Sequence, residues 1–508
     1  MSPRLRAAGA REKSAYALGT HSSRRNPGKR REIDRLSTIR EHPWPVNSDF
    51  LTRAAASGCP VVEVRATAAL DALGTAIAPA AIRFDVASGK ILALGEQAGD
   101  LPAISDAAVL NLESAVLIPG LVNAHAHLDL TLIGPVPHAS DAGFVSWIEN
   151  VRTGRPSTEA EIERAVQAGI VMTLRGGTVA IGDIAGAAGG IPQRAPWRTL
   201  DASTLWGVSY IEAFAMGARE SAALERLETF FDALLSAGSI SKTMRIGLSP
   251  HAPYSVSRNA YRCMLKLAKT NGLPVCTHLG ESPEERALVA HGSGPLRTFL
   301  ERLGIWKSDL ASLFGLGLSP VEHLAEFLDS NVAAIHVNDC PDASFALLAS
   351  SGASVVYCPR ASAYFAAEAS FGPHRYQEML AQGIPVALGT DSVLNLPPET
   401  RGCDLEFGCD LHGRLPQGGR ISVLDEMRVL SQRDGADPDL LLAMGTIHGA
   451  KVLGIPQDRF GLRVGDRPIG LVSIPIPELR EPSKSDAAEC WKIVLKSDSA
   501  PRLLWMWK

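Results

Sequence analysis

Hydrophobic positions fall into two regimes along the chain. From Pro60 to Leu117 short apolar runs (VVEV, IRFDVASGKILALG, AVLNL, AVLI) are broken by turn residues, and Ser88-Gly89-Lys90 joins two strand-like halves as a hairpin would. After Thr131 strand-like runs alternate with stretches of helical periodicity, among them Thr158–Leu174, Ser221–Ala237, Arg258–Thr270 and Pro295–Leu303. Counting from LIPGLVNAHAH (Leu117–His127), the strand-like runs continue as GTVAIGDIAG, WGVSYIEAF, RIGLSPHAPYS, LPVCTHLGES, NVAAIHVNDC, ASVVYCPRASAYF and PVALGTDS, eight in all. Such alternation predicts a parallel sheet with right-handed crossovers, and eight units favour a closed barrel. Beyond Asp391 come a Pro-containing loop, helical stretches at Ser422–Ser431 and Asp439–Leu453, and a return to strand-like pieces in Phe460–Ile476.

The expected fold is therefore α/β: a (β/α)₈ TIM barrel over residues 119–454, inserted between the halves of a small composite β-sandwich, residues 56–118 and 455–480. Residues 1–55 are expected to be a disordered N-terminal arm, and residues 481–508 a C-terminal tail with a strand-like run at Trp491–Leu495.

Composition narrows the class of function. The chain has 508 residues, twice what one barrel of about 250 requires. With 46% hydrophobic residues it can bury a large core, and a net charge of -4 argues against nucleic acid or an anionic membrane as the main partner. No apolar run approaches the roughly 20 residues of a membrane span. A small-molecule substrate is expected, with a homo-oligomer compatible with it. Met1–His42 is rich in arginine and has no apolar periodicity; it reads as a basic arm or a start placed too far upstream, with a transit peptide as the lesser alternative. The eight cysteines include no C-x-x-C pair and read as thiols of a reducing cytoplasm. The Gly-rich IAGAAGGIP lacks phosphate-loop spacing.

Chemistry gathers at the ends of the apolar runs: His125 and His127, Asp183, His251, His278 with Glu281, His336 and Asp391. A barrel collects the C-terminal ends of its strands into one active site. Residues two apart on a strand share a face, so the H-x-H pair can grip one ion. His125, His127, His278 and Asp391 make a ligand set suited to one divalent ion, Zn²⁺ or alternatively Fe²⁺, with room for a water whose pKa would fall towards neutrality. Glu281, three residues past His278, is placed as a proton shuttle, and His336 as a group that holds hydroxide or polarises substrate beside Asp391. His251 is expected to touch substrate rather than metal, and Arg360 and Tyr364 are candidates for substrate contact. Glu212 stands between substrate contact and structure, and Asp183 between supporting the site and capping. Lys242, Lys266 and Lys269 are not positioned to bridge two metals. His138, His291, His323, His374, His412 and His448 read as structural or solvated.

PGLVNAHAHLDL, SPHAPYS, THLGES, IHVN, CPRASAYF and GTDS together resemble the amidohydrolase superfamily. The likeness is to its mononuclear cytosine/guanine deaminase-like branch, which also holds chlorohydrolases and S-adenosylhomocysteine/methylthioadenosine deaminases. It runs from about Val61 to Ser473. It implies a barrel with a composite β-sandwich, metal ligands at His125, His127, His278 and Asp391, an acid/base at Glu281, assistance to hydroxide attack by His336, and substrate contact by His251. The implied activity is metal-dependent hydrolysis of a non-peptide carbon–nitrogen bond, above all deamination of an aminopurine nucleoside-like compound. A chlorohydrolase or amide hydrolase on the same site, and an inactive scaffold, are the alternatives. Three features depart from the pattern: an extra helical segment at Leu296–Leu324, GDRPIGL where the family closes with an Ala-Asp pair, and the basic arm.

Overall fold

The computed structural model describes residues 60–95, 107–137, 142–236, 241–306, 310–396, 419–476 and 486–507. The basic arm and most of the Pro-containing loop after Asp391 lie outside them. Eight parallel strands form the barrel: β1 (Leu121–Ala126), β2 (Thr178–Ala185), β3 (Trp206–Ala213), β4 (Met244–Pro250), β5 (Val275–Leu279), β6 (Val332–His336), β7 (Ser354–Tyr357) and β8 (Val386–Leu388). Each pairs with its neighbour in chain order. Their runs read as continuously apolar because both faces are covered, one by the barrel interior and one by helices. β1, β2, β5 and β6 are buried at every position. The helices expected between strands are present, as in Glu159–Arg175, started by a reciprocal cap between Thr158 and Glu161.

The ring closes through polar stitches at its mouth rather than a long ladder. Ala126 bridges Asp391, and the backbone N–H groups of Thr390 and Asp391 donate to the His125 carbonyl at 3.0 and 3.1 Å. Asn123 donates to Thr390 Oγ1 at 2.7 Å and accepts from the Thr390 N–H at 3.1 Å. The closure therefore holds the backbone of both His125 and Asp391.

Strands from both flanks form a second, seven-stranded sheet. Val61–Leu70 runs parallel to Ala107–Pro119 and antiparallel to Ala80–Asp85, which pairs in turn with Ile91–Gly95 across the expected hairpin. Gly470–Pro475 lies against Ala107–Pro119, burying Val62, Val64, Ile82, Phe84, Leu117, Leu471 and Trp505 together. Gly120 carries the chain from this sheet into β1; a Cβ there would sit 2.2 Å from Val179 Cγ1, so a larger residue would collide with that packed side chain.

The C-terminal stretch differs from the expectation. Trp491–Leu495 belongs to the helix Ala487–Lys496, whose Ala487, Cys490, Trp491, Val494 and Leu495 are buried at helical spacing. A short apolar run does not distinguish strand from buried helix by itself. The following Arg502–Met506 pairs with Gly470–Pro475, so this segment is part of the sheet domain rather than an appendage. Among the described residues no helix is long and apolar enough to cross a membrane.

Candidate active site

The polar strand ends converge at the barrel mouth. His125 lies in β1 and His127 just past it, His278 in β5, His336 at the end of β6, Glu281 in the loop after β5, and Asp391 three residues past β8. All six are buried. Potential ligand atoms of His125, His127 and Asp391 lie within 4.8 Å of one another; the same holds for His125, His278 and His336, and for Glu281, His336 and Asp391. Asp391 Oδ1 stands 3.7 Å from His125 Nε2 and 3.5 Å from His127 Nε2.

The donor set fits a divalent cation. His278 Nδ1–H donates to the His251 carbonyl at 3.0 Å, which leaves Nε2 as a lone pair. That lone pair faces His127 Nε2 at 3.2 Å. His125 Nε2 and His336 Nε2 are buried with no hydrogen-bond partner among the described residues. Buried nitrogens left so are costly unless something accepts their electron pairs. Burial pushes the imidazoles down, His125 to about 3 and His278 to about 4, so they stay neutral and able to ligate. Burial first, then the charges of Asp391, Glu285 and Glu284, hold the Glu281 carboxyl well above its ordinary range. Its Oε1 is 3.5 Å from His336 Nε2. Strain concentrates here too: His336, Val337 and Asp391 have φ of 71°, 54° and 56°, unusual for residues other than glycine.

A cavity of about 530 Å³ opens onto His127, His278, Glu281 and Asp391. His251 is in its wall, with Nδ1 2.7 Å from Ser255 Oγ, and so is Glu212. Glu212 Oε2 accepts from Arg155 Nη1 at 3.2 Å and from the Ala187 N–H at 2.9 Å; Arg155 Nε also faces Asp129 at 3.2 Å. Glu212 thus serves both the wall and a buried ion-pair network. The extra segment after Glu281 supplies Phe299, Leu300, Leu303 and Ile305 to the outer wall.

Arg360 Nε donates to Glu426 Oε1 at 2.5 Å, its backbone N–H to Glu426 Oε2 at 3.0 Å, and its Nη2 to the Ser422 carbonyl at 3.3 Å. Glu426 is fully buried, and Arg360 is absent from the cavity lining. Its guanidinium neutralises a core carboxylate. Tyr364 likewise donates to the Val136 carbonyl at 2.9 Å. Asp183 accepts the Leu128 N–H at 2.9 Å, fixing the turn just after His127. His374 Nε2 donates to the His336 carbonyl at 2.9 Å and its ring stacks on Tyr357.

Sequence reasoning passed over several supports. Asn395 Nδ2 donates to Asp391 Oδ2 at 2.5 Å, leaving the other carboxylate oxygen to face the histidines. Asn338 Nδ2 donates to the Glu281 carbonyl at 3.0 Å. Trp147 and Arg155 line the cavity from within and just past the helix Gly143–Gly154. The available signal was proximity: Asn395 follows Asp391 by four positions, and Asn338 follows His336 by two.

Residues 116–467 match the amidohydrolase family. Over 364 residues the chain is 29% identical to aminodeoxyfutalosine deaminase of Deinococcus radiodurans, covering 67% of this chain and 74% of that protein. Over 344 residues it is 28% identical to 5-methylthioadenosine/S-adenosylhomocysteine deaminase of Nitratidesulfovibrio vulgaris, covering 66% and 70%. The crystal structure of an adenosine deaminase from Xanthomonas campestris with bound zinc superposes with a TM-score of 0.61 at 19% identity, over 88% of this chain and 91% of that one.

Proposed function

The chain belongs to the amidohydrolase family, and from that premise we propose that it hydrolyses a carbon–nitrogen bond, releasing ammonia from an aminopurine nucleoside-like compound. The observation that carries the reading is the meeting of Glu281, His278 and Asp391 on one cavity that continues into a deep, mostly apolar outer wall. The names of the two relatives, both deaminases, support it.

His125, His127, His278 and Asp391 would hold a single divalent ion, zinc by preference. When bound, such an ion supplies Lewis acidity that brings a water's pKa towards neutrality. The protein's own groups manage the protons. Glu281 takes one proton from the attacking water and delivers it to the ring nitrogen beside the carbon under attack. The new carbon–oxygen bond makes that carbon tetrahedral. The remaining hydroxyl proton passes to the amine, for which Asp391 is the adjacent carboxylate; the carbon–nitrogen bond breaks, leaving ammonia and a ring carbonyl. His336, 3.5 Å from Glu281, lies where it can steady the attacking oxygen. His251, in the cavity wall, holds the heterocycle.

Phe299, Leu300, Leu303 and Ile305 give the substrate's distal group something to bind, which favours a substituted nucleoside over a free base. Binding energy gathered there is available at the reacting carbon, so trimming the substrate lowers kcat as well as raising KM. Cys276, Cys340, Cys358 and Cys490 are buried free thiols, which fits a cytoplasmic enzyme. The test is ammonia release by zinc- and iron-loaded protein from 5′-methylthioadenosine, adenosine, adenine, guanine and cytosine. The nucleosides should be preferred. Equal or better kcat/KM on free adenine would refute the nucleoside reading, and chloride release from a chlorinated triazine without any ammonia release would replace deamination by dechlorination.

A further inference from the structure

Glu285 is buried completely, yet it forms no ion pair among the described residues. It occupies the third position of the helix Pro283–His291, after Ser282 at the N-cap, in the S-x-x-E pattern of a capping box. Among the described residues there are two working capping boxes, Thr158 with Glu161 and Ser319 with Glu322, and in both the glutamate reaches back to the backbone N–H of its own cap residue. At Glu285 half of the motif is kept: Ser282 Oγ accepts the Glu285 N–H at 3.2 Å. The carboxylate goes elsewhere. Its Oε1 accepts the Gly280 N–H at 3.0 Å and its Oε2 the Glu281 N–H at 2.9 Å.

The opposite side of Glu281 is held as well. Asn338 Nδ2 donates to the Glu281 carbonyl, and Asn338 Oδ1 is itself fixed by Ser362 Oγ at 3.0 Å. Gly280 has a φ of 63° and its carbonyl accepts the Asp339 N–H at 2.9 Å, so the loop turns sharply just before Glu281. A buried carboxylate without an ion-pair partner is an expensive way to start a helix. It is well suited to gripping two successive N–H groups, because only a carboxylate offers two acceptor oxygens in one plane.

We propose that Glu285 is a positioning residue for Glu281: by clamping the Gly280 and Glu281 amides, opposite the Asn338 contact, it sets where the Glu281 carboxyl stands over the cavity. The proposal rests on the reading of Glu281 as the proton carrier. Glu285→Gln keeps the shape, but its amide turns a donor towards one of the two N–H groups. A displacement of about 1 Å at a reacting group can cost on the order of 100-fold. We expect kcat for 5′-methylthioadenosine to fall about 10- to 100-fold while KM and metal content stay near native.

Two readouts separate this role from general damage. In the Glu281→Gln background, adding Glu285→Gln should cost little further turnover, because the group being positioned is already gone. Hydrogen exchange at the Gly280 and Glu281 amides should accelerate in Glu285→Gln while the rest of the barrel keeps its protection. The same fold-loss with and without Glu281, or unchanged protection of those two amides, would overturn the proposal. If Glu285→Gln does not fold, Glu285→Asp, which keeps the charge but is one methylene short of spanning both amides, is read the same way. A native protein that releases no ammonia from any amine would defeat the deaminase reading alone, since amide exchange still decides the clamp.

Discussion

Asn395→Leu isolates how the carboxylate of Asp391 is aimed. Asn395 is buried, its Nδ2 donates to Asp391 Oδ2 at 2.5 Å, and its own Oδ1 has no hydrogen-bond partner among the described residues, so leucine removes essentially one bond at similar volume. A hydrogen bond to a buried charged group contributes about 1.5–3 kcal/mol. At about 1.4 kcal/mol per decade, that is roughly 10- to 150-fold in an equilibrium or a rate. Loss of a partner that orients a metal ligand costs about 10–100-fold in metal affinity or activity, and the two figures overlap. The assay is metal content by elemental analysis along a chelator titration, with turnover measured on the reloaded protein. The chelator midpoint should move by at least tenfold towards weaker binding while circular dichroism stays native. A midpoint and a kcat both within about twofold of native would mean that the bond aims nothing, since even its weakest value predicts tenfold.

Glu281→Gln should keep its metal and lose turnover by about 10²–10⁴-fold, whereas Asp391→Ala should lose both; equal metal loss in the two would move Glu281 into the ligand set. Arg360→Met leaves buried Glu426 unpaired and should destabilise the fold by roughly 3–5 kcal/mol with KM unchanged, read as a lowered thermal midpoint beside intact substrate saturation. A raised KM with no loss of stability would restore Arg360 to the pocket. Glu285 carries a pH dependence: burial pushes its carboxyl up to about 7 from an ordinary 4.5. A raised folded pKa contributes stability that is full below 4.5 and lost as pH rises through 7, so the stability gap between native protein and Glu285→Gln should be widest at pH 4.5 and below and narrow by pH 8. A gap that widens with pH would contradict that sign.

What the sequence disclosed followed from periodicity and residue type. Barrel strands covered on both faces produce apolar runs that stop at polar ends, so His125, His127, His278 and Asp391 stood out without any contact being known. Residues that support those groups leave no such trace. Glu285 looks like an ordinary helix cap until its carboxylate is seen to bypass the cap, and Asn338 and Asn395 are lone amides in loops. The partner of Arg360, Glu426, lies 66 positions further on, and nothing local in CPRASAYF advertises a buried acid so far away. The apolar outer wall was legible only as an insertion of unknown direction; that Phe299 and Leu303 face the cavity depends on how the helix Pro295–Arg302 docks.

The seam of the barrel has a consequence for how the molecule comes into being. Asn123 and Thr390 are 267 positions apart, and they sit beside His125 and Asp391, the earliest and latest members of the expected ligand set. The last strand is three residues long, and its attachment to the first runs through these same neighbours. Docking of the last strand therefore also brings Asp391 up to His125 and His127, so closure of the ring and assembly of the expected ligand set depend on the same few contacts.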